Sequence, residues 1–211
     1  MNSPNLHVID HPLLRHKLGY LRSKTTLSHE FREITKEISR CLAYEALRNW
    51  KDIDQTEVET PISKTKVDRI VRAPVVVSIM RAGNGMLDAV LSMIPFAPAG
   101  FIGIYRDKFV RSTVEYYFKM PLDIRGRVAI LCDPLIASGD TIIAAIERLK
   151  SHEVKGIIVL SFLVSEAASV RLQETHPDVE IYTLAIEREM NEEGYLVPGL
   201  GDAGDRLFQT K

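Results

Sequence analysis

One stretch limits the fold more than any other: Arg127 to Lys150, RVAILCDPLIASGDTIIAAIERLK. It opens with Val128-Ala129-Ile130-Leu131-Cys132, an apolar run that suits a strand buried on both faces, as in a parallel sheet. Asp133 follows at the strand's carboxyl end. Small residues come next, Ala137-Ser138-Gly139-Asp140-Thr141. Then Ile142, Ile143, Ile146 and Leu149 recur at helical spacing, with Glu147, Arg148 and Lys150 on the other side. A helix start leaves backbone N–H groups without partners and carries partial positive charge. Small residues let a phosphate approach those groups closely, and Ser138 and Thr141 add hydroxyl donors. Asp133 can accept from sugar hydroxyls at the mouth of the sheet, where open α/β sheets bind ligands. The stretch lacks the Lys of a nucleoside-triphosphate P-loop and the three spaced glycines of a dinucleotide fold. Strand, acid, small-residue loop and helix together are a plan for holding a phosphorylated sugar.

Similar units flank this one. Pro74 to Met80 reads as a second buried strand, ending at Arg81-Ala82-Gly83-Asn84-Gly85, before a helix carrying Met86, Leu87, Val90 and Leu91. Arg81 is placed to grip a diphosphate in a fork, or simply to solvate the sheet edge. Phe101 to Tyr105 is a third strand, ending at Arg106. Gly156–Val164 and Glu180–Ile186 read as strands and Glu166 to Thr175 as a helix. Such alternation predicts an α/β fold with a mainly parallel sheet and right-handed crossovers. Ahead of it, Ser28 to Asn49 has a helical stripe (Phe31, Ile34, Ile38, Cys41, Leu42, Glu45), with Thr26 or Ser28 as cap. Residues 50–70 alternate as an exposed strand or hairpin leading into the core, and residues 1–25 read as an arm with little periodicity. The aromatic, charged piece from Asp107 to Met120 fits a mobile flap or a static hairpin. Gly194 to Asp205 is dense in Gly and Pro, the usual mark of a turn.

These residues carry a resemblance. DPLIASGDT resembles the phosphoribosyl-pyrophosphate (PRPP) loop of phosphoribosyltransferases. HPLLRHKLGYLR, FREITKEISRCLAYEA, MRAGNGMLDAV and GYLVPGLGDAGDRLF extend the likeness to uracil phosphoribosyltransferases, from about His11 onward. The last segment is the most specific. The resemblance implies a type I phosphoribosyltransferase fold in one domain over 1–211. That fold would have a mainly parallel central sheet flanked by helices, an N-terminal arm and helix (1–50), a β-hairpin flap (106–120) and a C-terminal uracil-binding segment (190–211). It implies a pentosyltransferase that makes UMP and diphosphate from uracil and PRPP in pyrimidine salvage, with Mg²⁺. Arg81, Arg106, Asp133 and Asp202 would be catalytic. PRPP would also meet Pro134, Leu135, Ile136, Ala137, Ser138, Gly139, Asp140 and Thr141. Uracil would meet Tyr195, Leu196, Gly201, Asp202 and Ala203, and Asp202 would approach the diphosphate through Mg²⁺. The family also implies a homo-oligomer, dimer or tetramer, with the N-terminal region at the subunit interface. GTP as an effector stays open.

Two positions depart from the family. Ser138-Gly139-Asp140 stands where a Thr-Gly-Gly core is usual, and a carboxylate beside a phosphate repels it unless it points outward or meets a cation. Glu187 stands where the family commonly has a shorter Asp. The bulk numbers bear on rival functions. A net charge of −1 at pH 7 argues against a nucleic-acid or membrane partner, and so against an RNA-binding pyrimidine sensor on the same fold. An orotate enzyme would need extra cations near 195–203. Arg81, Asp133 and Asp202 argue against an inactive subunit. Six histidines show no metal spacing. The two cysteines, Cys41 and Cys132, suit reduced core thiols in a cytoplasmic protein. The apolar stretch Ile157 to Val164 is too short to span a bilayer.

Overall fold

A computed structural model describes residues 5–106 and 113–210. Taken in chain order, β1 (Leu6–Val8) and α1 (Pro12–Arg22) form the N-terminal arm, followed by α2 (Ser28–Ala46). The arm is more regular than expected. Leu14, Leu18 and Leu21 of α1 are buried, and His11 Nδ1 accepts from Leu13 N to cap its start. Leucines three and four apart thus make one apolar stripe even on an 11-residue helix. α2 buries Phe31, Ile38 and Leu42 as the stripe predicts. Its cap is not Thr26 or Ser28. Thr26 Oγ1 donates to Tyr20 O at 2.6 Å, and the Glu30 carboxylate accepts from Leu27 N at 3.0 Å.

β2 (Ile53–Glu59) and β3 (Lys64–Ile70) pair only with each other among the described residues. This hairpin does not lead into the core: both strands are mostly exposed, and Ile62 near its turn is 92% exposed. Next along the chain come β4 (Val75–Met80), α3 (Asn84–Met93), β5 (Ala99–Arg106), β6 (Thr113–Lys119) and β7 (Val128–Cys132). β8 (Leu135–Ile136), α4 (Asp140–Lys150), β9 (Gly156–Leu160), β10 (Leu163–Ser165), α5 (Glu166–Thr175), β11 (Glu180–Thr183) and β12 (Ala185–Glu187) follow. The chain closes with β13 (Glu189–Met190), β14 (Leu196–Val197) and α6 (Ala203–Phe208).

Seven strands form the main sheet in the order β1-β11-β9-β7-β4-β5-β6, all parallel except β6. Alternation sends Val76, Ile130, Cys132 and Leu160 to one face, against α1, α2, α3 and α6. Val75, Val77, Leu131 and Val159 go to the other, against α4 and α5. Two strands expected to be continuous are broken. Gly156–Val164 is β9 plus β10, and Glu180–Ile186 is β11 plus β12. Beyond the breaks, β12, β10 and β8 make a small parallel sheet of their own. The buried hydroxyls of Ser161 and Thr183 satisfy carbonyls at the corner, on Leu163 at 3.1 Å and on Phe162 at 3.1 Å. An unbroken apolar run hides such a corner, because its only sequence mark is one serine and one threonine.

Candidate active site

The strand order turns around between β4 and β7. From β4 the chain crosses to β5, and from β7 it crosses the opposite way to β9 and β11. Ligands of open α/β sheets sit beyond the carboxyl ends of strands at such a reversal. Arg81 and Asp133 are the residues that follow these two strands. Gly83 closes the turn after β4, where an added Cβ would lie 2.3 Å from the Cys132 carbonyl. Only glycine lets the two strand ends come this close.

A cavity of about 330 Å³ opens here. Arg81, Asp133, Thr141 and Asp202 all line it, with Tyr105 and Tyr116 of the β5–β6 hairpin on one wall. A larger hollow of about 860 Å³, beside His7, Trp50 and Tyr182, lies at the amino ends of β7, β9 and β11. It holds none of the predicted site residues.

The small-residue loop is built as expected at its end and differently at its start. Gly139 is left-handed at φ +85° and caps α4, with Ile143 N donating to its carbonyl at 3.0 Å. Pro134 has no N–H, and its carbonyl accepts from Phe162 N and Leu163 N. Leu135 and Ile136 form β8 beside Leu163 and Val164, and Ile136 is buried. The side chains of Pro134 and Ile136 are therefore packing groups. Ser165, which the sequence reading passed over, donates to Ala137 O at 2.6 Å and caps α5 by accepting from Ala168 N at 2.9 Å. Asp140 meets a cation: Arg171 Nη1 donates to its Oδ1 at 2.5 Å.

Asp133 is partly buried at the end of β7. Burial pushes its carboxyl up to about 7, against a weak donation from Leu135 N. The same burial raises the Cys132 thiol, with Asp133 adding to it. Arg81 is half-exposed and already engaged. Its Nη1 donates to Thr210 Oγ1 at 2.6 Å and its Nη2 to Asp205 Oδ1 at 3.1 Å. Asp205 gave no signal beyond an acid in the first turn of a short helix. Arg106 ends β5 opposite Thr113. Its side chain and residues 107–112, which belong to the expected flap, lie outside the described residues. The described part of the hairpin is docked on α4, where Arg148 donates to Glu115 Oε2 at 3.1 Å and covers the Phe118 ring at 4.4 Å.

The C-terminal segment is held from a distance. Leu196, Leu200 and Ala203 are buried. Arg22 of α1 donates to Gly199 O at 2.8 Å and pairs with the buried Glu187. The longer acid at 187 thus has its own cation. Arg206 donates to Leu200 O at 2.9 Å, to Ser23 O at 2.6 Å and to Leu21 O, and stacks over Phe31 at 4.3 Å. Burial pushes its guanidinium below the ordinary arginine value. Asp202 Oδ1 accepts from Asp205 N at 2.8 Å, capping α6. Asp202 and Gly204 reach the cavity, whereas Tyr195, Leu196, Gly201 and Ala203 are not among its lining residues.

No group of three or more His, Cys, Asp or Glu is placed to hold a metal among the described residues. Mg²⁺ does not need one: it is commonly held by one or two carboxylates plus substrate phosphates. Asp133 and Asp202, two hard-oxygen donors facing one cavity, fit that pattern.

The profile of the family described as "Uracil phosphoribosyltransferase" matches residues 8–210. A uracil phosphoribosyltransferase of Polaromonas naphthalenivorans is 46% identical, covering 98% of this chain and 99% of its own. One from Bacillus caldolyticus is 43% identical with the same coverage. Among solved structures, an Aquifex aeolicus protein superposes with a TM-score of 0.91 at 29% identity, over 98% of this chain and 99% of that one. An adenine phosphoribosyltransferase of Leishmania donovani, at TM-score 0.57 and 12% identity over 91% and 88%, shares the fold alone.

Proposed function

The chain belongs to the uracil phosphoribosyltransferase family, and we propose that the cavity between β4 and β7 is where it joins uracil to PRPP. The reaction is a pentosyl transfer, giving UMP and diphosphate. One observation carries the assignment of the site: Arg81, Asp133, Thr141 and Asp202, from three separate parts of the chain, face one space.

The chemistry follows from those positions. The N1 atom of uracil forms a bond to C1′ as the bond from C1′ to the diphosphate oxygen breaks; positive charge develops on the ribose ring, and the N1 proton leaves late, with Asp202 the carboxylate at hand to take it. Ala137 to Thr141 hold the 5′-phosphate on backbone N–H groups and the Thr141 hydroxyl. Asp133, as a carboxylate, accepts from the ribose hydroxyls and fixes C1′ for attack. Arg81 leaves Asp205 to grip the diphosphate, and Arg106 adds a second cation. Asp133 and Asp202 would hold Mg²⁺, which supplies charge stabilisation to the departing diphosphate. Backbone groups around Tyr195, Leu196 and Gly201 to Ala203 read the uracil edge, and Arg22 and Arg206 keep that segment fixed. Cytosine would set an amino donor against a backbone donor, which is costly in a dry site.

The whole chain acts as one domain, since both core layers share the seven-stranded sheet. The exposed Leu13, Tyr20 and Leu27 and the projecting β2–β3 hairpin support a homo-oligomer. The free Cys41 and Cys132 support a cytoplasmic location, and no helix of the described residues is long and apolar enough to cross a membrane. The deciding assay is diphosphate release from PRPP with uracil, cytosine, orotate, hypoxanthine or no base. Uracil alone should drive it; release driven equally by orotate or hypoxanthine would overturn the base assignment.

A further inference from the structure

Asp140 puts a carboxylate at the first position of α4, the helix whose start forms the phosphate cradle. The dipole and free N–H groups that favour this acid are the ones a 5′-phosphate would use. Two anions crowded at one helix start repel each other unless a cation stands beside them. Arg171, on the second turn of α5, is that cation. Its Nη1 donates to Asp140 Oδ1 at 2.5 Å and to the Ser138 carbonyl at 3.3 Å. The Ser138 hydroxyl donates to Asp140 Oδ2 at 3.0 Å. The carboxylate is thereby drawn toward α5, and it is Thr141, not Asp140, that lines the cavity. α5 cannot drift from the cradle, because its cap Ser165 donates to Ala137 O.

We propose that Arg171 is a positioning residue for PRPP, which neutralises Asp140 and holds it off the cradle so that the N–H groups are left for the 5′-phosphate. The inference rests on reading 137–141 as that cradle. The side chains of Arg171 and Asp140 are 47% and 24% exposed, so the pair contributes little to folding. Its effect falls on ligand affinity, where a second anion arrives.

Steady-state kinetics of four variants test this. Arg171→Ala should raise the PRPP KM about tenfold, with kcat and the uracil KM little changed, because the repulsion acts on bound phosphate and not on the reacting bond. Arg171→Lys should keep most of the affinity. Asp140→Gly should lower the PRPP KM, and combining it with Arg171→Ala should bring the KM back near the wild-type value. Calorimetric affinities for UMP, whose phosphate takes the same cradle, should follow this order. An unchanged PRPP KM in Arg171→Ala would overturn the proposal. So would a double variant as impaired as Arg171→Ala, which would put Arg171 on the phosphate itself. Wild-type protein that turns over no PRPP would remove the cradle reading and this inference together.

Discussion

The two halves of the site are fixed by different means. The proposed phosphate cradle at 133–141 is local: the end of a buried strand, a left-handed glycine and a helix start follow one another directly along the chain, and the supporting bonds come from the adjoining β10–α5 turn. The segment from Gly194 to Asp205 has little regular structure of its own. Its carbonyls are held by Arg22 and Arg206, which tie it to the end of α1. A phosphate is much the same in every substrate of this chemistry, so a stiff local cradle suffices. A base must be told from its near-isosteres, and this calls for a surface whose shape is set by the rest of the molecule.

The sharpest way to break this contrast is Arg206→Ala. It removes donors to three backbone carbonyls and the stacking on Phe31. The expected cost is about 3 kcal/mol of stability by urea denaturation, with a rise of more than about tenfold in the uracil KM. The PRPP KM should change far less, and equal changes in both would erase the distinction between the two halves.

A smaller effect separates them by pH. With its carboxyl raised to about 7 by burial, Asp133 keeps its proton in the free protein below that pH, whereas the unfolded chain loses it near the ordinary aspartate value of 3.8. Stability of the free protein therefore falls as pH rises from about 4 to 7, and then levels off. Binding runs the other way. In the proposed site it is the ionised form that accepts from ribose hydroxyls, and its share rises about tenfold between pH 6 and 8. The PRPP KM should fall across that range in the wild type and lose this component in Asp133→Asn, while the uracil KM stays flat. The smallest effect is expected from Ser165→Ala. Losing the bond to Ala137 O should cost about 1 kcal/mol, or roughly fivefold in PRPP affinity, with uracil unaffected.

The same division governs what could be read from the chain alone. The central sheet, α4 and the positions of Arg81 and Asp133 were legible, because an apolar run followed by an acid and a helical stripe has few other solutions. Side chains that act across the fold were not. Arg22, Arg171 and Arg206 look like ordinary surface arginines in a sequence with 27 Lys and Arg, and their partners lie 165, 31 and 185 positions away. The grip of Thr210 and Asp205 on Arg81 was hidden in the same way. So was the corner that splits β9 from β10, since Ser161 alone interrupts the apolar run there. Asp140 could be flagged as a charge out of place, but only three dimensions supply its counterion.

The sheet also dictates an order of assembly. β1 sits at one edge beside β11, with His7 against Glu180, a partner made 173 positions later. A ribosome that has released the first strand must translate almost everything else before that strand has anything to pair with. α1 waits as long for the carbonyls of Gly199 and Leu200, which Arg22 of α1 and Arg206 hold. Closing so long a stretch of chain is a late and slow step. The half of the site proposed to read the base, which depends on those same contacts, takes shape only when segments this far apart in the chain have met.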